Sequence, residues 1–163
     1  MSKAYFVDAN PIFELWNSVK KTKSAIKPLS IGAEQLQEQI KTNSKLYINS
    51  LVVSEVLSGL VFKADTEKFS KMKLLLGNIF NIVNVSRAEW EFSICVYREC
   101  VQNKVNFNKD FVCQIDACGR KFFNSSDCIH YATSRKYNLD IITNDKHFED
   151  IRKYCDKLEF RGK

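Results

Sequence analysis

Four short apolar segments, each followed by a helix-like stretch, constrain this chain more than any other feature. They are "AYFVD" (4 to 8), "KLYIN" (45 to 49), "NIVNV" (81 to 85) and "LDIITND" (139 to 145). Each is too short for a buried helix and rich in the residues that favour strands. Between them lie segments of helical period. "SIGAEQLQEQIKTN" places Ile31, Leu36 and Ile40 at helical spacing, and Ser50 is the expected N-cap of "LVVSEVLSGL". "EKFSKMKLLLGNIF" reads as a helix. Ser86 is expected to cap "RAEWEFSICVYRECVQ", with Trp90, Ile94, Tyr97 and Val101 near its apolar face. "SSDCIHYATSRKYN" and "KHFEDIRKYC" complete the helices. Strands alternating with helices imply an α/β fold with a mostly parallel central sheet covered on both faces.

The chain of 163 residues suits one domain with a sizeable core, and its two prolines mark no linker. The reading is a single domain over 1–163, with residues 103 to 124 irregular and partly helical. The longest apolar runs fall short of the roughly 20 residues a membrane span requires. With no signal-peptide pattern at the N-terminus, the expected compartment is the cytoplasm. Six cysteines then read as thiols, not disulfides. Cys95, Cys100, Cys113 and Cys118 show a five-residue step twice, unlike zinc knuckles, so buried or incidental thiols are expected.

The formal charge is +6, from 25 Lys and Arg against 19 Asp and Glu. A polyanionic partner fits that excess, as does a surface of scattered lysines. "KKTKSAIK" (20 to 27) is the densest basic patch, either a solvated loop or a phosphate contact.

In a parallel α/β sheet, ligands bind outside the carboxyl ends of the strands. Asp8 ends the first strand, Asp145 follows the fourth, Asp127 opens the helix before it, and Glu55 lies a turn into the helix after the second. Each acid has a bland reading. Asp127 suits a helix dipole, and Asp145 suits a turn or an N-cap. Glu55 and Asp8 are harder to excuse, because their surroundings are apolar. If gathered, two such carboxylates about 5 Å apart repel by roughly 3 kcal/mol at an effective dielectric near 20. A divalent cation would neutralise them, and hard oxygen ligands select Mg²⁺ or Mn²⁺. Such an ion acidifies a water for attack on phosphorus and steadies the leaving oxygen, which is phosphodiester hydrolysis.

"YFVDAN", "INSLVVSEVLSG" and "SSDCIHYATSRKYNLDIITNDKHF" resemble, in order, the signature segments of PIN-domain ribonucleases. The last is the most specific: an acid opening a helix, a short apolar strand, then Thr143, Asp145 and Phe148 as Thr-x-Asp-x-x-Phe. At this length the chain looks most like the VapC toxins of type II toxin–antitoxin pairs. The resemblance implies a PIN-like three-layer α/β/α domain and four metal-ligating or metal-orienting acids, Asp8, Glu55, Asp127 and Asp145. It implies a polar helper at Asn10 and a hydroxyl at Thr143. It further implies Mg²⁺ or Mn²⁺, cleavage of single-stranded or loop regions of RNA such as tRNA or ribosomal RNA, a homodimer, and a VapB-like antitoxin. Segments 18–45 and 103–124 are longer than in typical VapC proteins.

Haloacid-dehalogenase phosphatases need a second acid where Asn10 stands, and receiver domains need an aspartate after a middle strand that "YINS" and "IVNV" lack. The other alternative is a PIN fold that no longer cuts and only binds RNA or a partner. Arg135, Lys136 and Lys146 are candidate phosphate contacts. His130 and His147 are close in sequence to the acids, but each is read as a packed or exposed histidine, since metal-assisted hydrolysis needs no imidazole base. Trp16 and Trp90 are read as core.

Overall fold

The computed structural model describes residues 3–19, 28–61, 66–105, 107, 111–115 and 121–161. The basic patch at 20 to 27 lies outside them, and so does Cys118. Two compact units are built from interleaved stretches of chain, Met1–Asn84 with Leu139–Asn144, and Val85–Asn138 with Asp145–Lys163.

The first unit contains the sheet. Its strands are β1 (Ala4–Val7), β2 (Lys45–Asn49), β3 (Asn81–Val83) and β6 (Asp140–Ile142), in the order β3-β2-β1-β6. All three pairings are parallel, so the four apolar segments do form one sheet of the expected α/β class. β1 is central, with Tyr5 opposite Leu46 on one side and Asp140 on the other. Parallel strands need crossovers, which α1 (Ala9–Val19), α2 (Ile31–Lys41), α3 (Ser50–Val61) and α4 (Thr66–Ile79) supply in this unit. Phe6, Ile48, Val52, Met72 and Ile142 are fully buried, each worth roughly 1.5–3 kcal/mol over exposure.

Two local expectations change here. The cap of α3 is Asn49, not Ser50: Asn49 Oδ1 accepts the Val52 amide at 3.1 Å, and Ser50 is already helical. Both residues are good N-caps, and one position decides which side chain reaches the third helical amide. In α2 the buried residues are Gly32, Ala33 and Leu36, while Ile31 is 85% exposed. Ser30 caps this helix, accepting from the Ala33 amide. Trp16 is half-buried and lines an apolar cavity of about 160 Å³ with Ile12, Leu15, Leu36, Ile40, Leu75, Ile79 and Phe80.

The second unit holds α5 (Arg87–Gln102), α6 (Ser126–Tyr137), α7 (His147–Cys155) and a β-hairpin. The hairpin is β4 (Phe111–Ile115) paired antiparallel with β5 (Lys121–Ser125), Phe111 opposite Ser125. It replaces the irregular, partly helical stretch expected over 103 to 124. "FVCQI" and "KFFNS" are strand-like, but neither alternates cleanly.

The buried face of α5 is Glu89, Phe92, Ser93, Val96 and Cys100, not the expected stripe. Ile94 and Val101 are exposed, and Trp90 and Tyr97 half-buried. The true face lies about 100° around the helix, and a glutamate and a serine hide its apolar signature. Glu89 is buried because it is paired. Its Oε2 accepts from the Ser86 amide and hydroxyl at 2.8 and 2.6 Å and from Lys136 Nζ at 2.8 Å. Ser86 does cap α5, as the capping-box pairing with Glu89 shows. Burial opposes ionisation of Glu89, yet the hydrogen bonds from Lys136 and Ser86 outweigh it and hold the carboxyl below its ordinary value. The same pairing raises Lys136.

Cys100, Cys128 and Cys155 are buried thiols, as expected, and Cys95 is exposed. The sulfurs of Cys100 and Cys155 lie 3.6 Å apart. The Cys128 thiol, with burial, pushes Cys100 up to about 12, so it stays protonated and packs as a small apolar group.

Candidate metal centre

Asp8 occupies the single residue between β1 and α1, where the central strand ends. Its backbone amide donates to the Ile142 carbonyl at 3.0 Å, continuing the β1–β6 ladder one residue further. Both carboxylate oxygens are engaged: Ala9 N–H donates to Oδ1 at 2.7 Å and Thr143 Oγ1 donates to Oδ2 at 2.8 Å. The carboxylate is thereby fixed at the sheet's carboxyl edge, only 5% exposed. Glu55, half-buried on α3, brings one carboxylate oxygen within 4.8 Å of one of Asp8. At that spacing and an effective dielectric of 20, the two charges repel by about 3 kcal/mol. Asn10 is exposed in the first turn of α1.

A network behind Thr143 holds the loop that carries it. Asn144 Oδ1 accepts the Gly32 amide at 2.9 Å, and its Nδ2 donates to Glu14 Oε2 at 3.3 Å. Glu14 also accepts from the Ser30 amide at 2.8 Å and from the Ser30 hydroxyl. Gly32 is obligatory at this approach, since a Cβ there would lie 2.5 Å from Asn144 Oδ1 and 2.8 Å from the Thr143 carbonyl oxygen. Glu14, Gly32 and Asn144 were not singled out in the sequence, because a bond between residues 112 apart leaves no local signal.

In the second unit Asp127 lies in the first turn of α6, where the helix dipole favours its charge. It is 6% exposed. Asp145 precedes α7 and accepts the His147 amide on Oδ1 at 2.8 Å, so the turn role and the site role coexist in one residue. His147 was read as a packed or exposed ring, yet it stands between the two acids. Its Nδ1 is 3.2 Å from Asp127 Oδ2 and 3.2 Å from Asp145 Oδ1. One donor atom from each of the three residues lies within 4.8 Å of the others. The Thr-x-Asp-x-x-Phe spacing singles out Thr143, Asp145 and Phe148 and passes over the His two places after Asp145. His130 is buried, 1% exposed.

The basic candidates divide. Lys136, a candidate phosphate contact, donates to Glu89 and the Ser86 hydroxyl. Arg135 donates to the Tyr131 hydroxyl at 2.7 Å and to the carbonyls of Asp156 and Leu158. Both cations therefore tie α6 to its own unit, whereas Lys146 is exposed beside Asp145.

Each unit thus offers two carboxylates, and those of Asp8, Asp127 and Asp145 are held by directed hydrogen bonds. Such donor sets fit a hard divalent cation, which removes the repulsion the acids would otherwise suffer.

A family profile described as "PIN domain" matches residues 5–154. A search of the curated proteins finds no match to the sequence. Among solved structures, the chain is similar to one in VapBC2 of Rickettsia felis bound to a DNA fragment from its promoter. That match has a TM-score of 0.62 and 16% identity, covering 90% of this chain and 91% of that one. A toxin–antitoxin complex from Klebsiella pneumoniae matches with a TM-score of 0.53 and 19% identity, covering 96% and 93%. DNA-bound VapBC from Salmonella typhimurium matches with a TM-score of 0.56 and 14% identity, covering 91% and 92%. At these identities the likeness is one of fold. The three-layer α/β/α class expected from the sequence holds, and the profile covers most of the chain: this protein belongs to the PIN domain family.

Proposed function

We propose that the protein is a metal-dependent endoribonuclease that hydrolyses RNA phosphodiester bonds, and that its whole length forms one PIN domain. The metal-binding acids of this reading are Asp8 and Glu55 in the sheet unit and Asp127 and Asp145 in the helical unit, and a bound Mg²⁺ or Mn²⁺ would supply the Lewis acidity for attack on phosphorus. The observation that carries this reading is Asp8. A buried carboxylate at the end of a central strand, with both oxygens held by donors and a second acid within 4.8 Å, is costly without a cation. Family membership supports a nuclease. Thr143 orients Asp8, Asn10 is the polar helper beside it, and Arg135, Lys136 and Lys146 are the candidate phosphate contacts.

The protein acts as the toxin of a VapBC-type pair, restrained by a VapB-like antitoxin. Support comes from the fold neighbours, which were solved as VapBC or toxin–antitoxin complexes. The substrate is a tRNA or ribosomal RNA loop, and the working form is a cytoplasmic homodimer. Among the described residues no helix is long and apolar enough to cross a membrane.

Sequencing of 5′-phosphate RNA ends after brief expression in a bacterial host, wild type beside Asp8→Asn, tests the activity. Discrete new ends in the wild type alone are expected and would name the target. Identical end profiles, together with RNA binding that survives Asp8→Asn, would replace the nuclease with a PIN fold that binds without cutting.

A further inference from the structure

The position of His147 bears on which cation the site takes. Its Nδ1 is 3.2 Å from an oxygen of Asp127 and 3.2 Å from an oxygen of Asp145, so all three donors face one small volume. An octahedral ion with bonds of about 2.1–2.2 Å places adjacent ligand atoms roughly 3 Å apart, close to this spacing. The ring is also held in place. Its own backbone amide is bound to Asp145 Oδ1 at 2.8 Å, and the imidazole meets the buried Phe107 ring in a T-shaped contact, centroids 5.6 Å apart. An imidazole fixed at both ends loses little freedom on taking a ligand, as expected of a prearranged donor.

We propose that His147 Nδ1 is a direct ligand of the divalent ion, beside Asp127 and Asp145, and that this nitrogen makes the site select Mn²⁺ over Mg²⁺. The inference rests on the reading that these acids hold a cation. Mg²⁺ is hard, sheds water reluctantly and leans on oxygen donors. Imidazole favours first-row transition ions, so replacing one oxygen by nitrogen weights the balance toward Mn²⁺. Asp145 can serve both roles, because a carboxylate oxygen holding one amide hydrogen bond keeps a further lone pair.

Pulsed electron paramagnetic resonance of Mn²⁺ added to the metal-free protein tests this without any turnover. Wild type should show a directly coordinated ¹⁴N coupling, and His147→Gln should lose it while still binding Mn²⁺. Calorimetry should show Mn²⁺ affinity falling about tenfold or more in the variant, with Mg²⁺ affinity falling less. His147→Asn provides a second variant should the first not fold. Mn²⁺ bound to wild type without nitrogen coupling, or coupling that survives both variants, would overturn the ligand. Failure of wild type to bind Mn²⁺ at all would instead overturn the cation reading beneath it, and Asp127→Asn gives the reference for that loss.

Discussion

The two acid pairs are held by different chemistry. Asp8, in the sheet unit, is fixed by a backbone amide and a threonine hydroxyl, both of which donate hydrogen bonds to it. Asp127 and Asp145, in the helical unit, share an imidazole whose nitrogen can either donate or ligate. Asp8 is positioned by the end of a central strand. Asp145 is positioned by a turn of two residues and stands beside a ring.

Breaking either half at its carboxylate gives the largest effect. Asp8→Asn and Asp127→Asn should each abolish RNA cleavage in a purified-protein assay. The far-ultraviolet circular dichroism should stay unchanged, and Asp8→Asn should melt at the same or a slightly higher temperature, since a like-charge repulsion is removed. A large loss of stability in metal-free Asp8→Asn would mean the carboxylate is structural.

The helical unit depends on an ion pair with a buried carboxylate, Glu89 with Lys136. Glu89→Ala leaves Lys136 without its carboxylate and should cost about 3 kcal/mol in urea unfolding, the low end of the range for a broken buried pair because Lys136 is part-exposed. The double variant Glu89→Leu with Lys136→Met should recover most of that loss. The sheet unit is instead sensitive to volume. Gly32→Ala drives a Cβ into Asn144 and the Thr143 carbonyl and should cost about 1–3 kcal/mol, with weaker cleavage because Thr143 shifts. Thr143→Val removes only the hydroxyl on Asp8, and calorimetry should show Mn²⁺ affinity down by roughly tenfold with little change in melting.

The smallest effect is in pH. Glu89 is depressed below 4.5, so its contribution to stability is complete above that value and is lost as pH falls through the folded pKa. Acid unfolding curves of Glu89→Gln should lack that limb, starting from a lower plateau at neutral pH. A parallel acid limb in both proteins would show that another carboxylate governs it.

How much of this was legible in the sequence divides along the same line. The sheet unit's strands and Asp8 were readable, because a central parallel strand is a continuous apolar run and its end is where an acid stands out. The α5 face was not, since Glu89 is buried by virtue of Lys136, 47 residues away, and Phe92, Val96 and Cys100 compete with Trp90, Ile94 and Val101 for the apolar stripe. His147 was visible but undervalued: proximity to Asp145 in sequence says nothing of where the ring turns. The internal partners of Arg135 and Lys136, at Asp156 and Glu89, lie too far along the chain to leave a local signal.

The Thr143–Asp8 bond joins residues 135 apart, and β1 gains its β6 neighbour only across the same distance. Closing so long a loop is slow relative to local helix formation. A chain emerging from the ribosome therefore carries Asp8 early but cannot orient it until residue 143 has been made and has paired. The Asp8 carboxylate should reach its final hydrogen bonds in one late step of synthesis. The strand order of a four-stranded sheet thus works as a timer on when the acid is first presented.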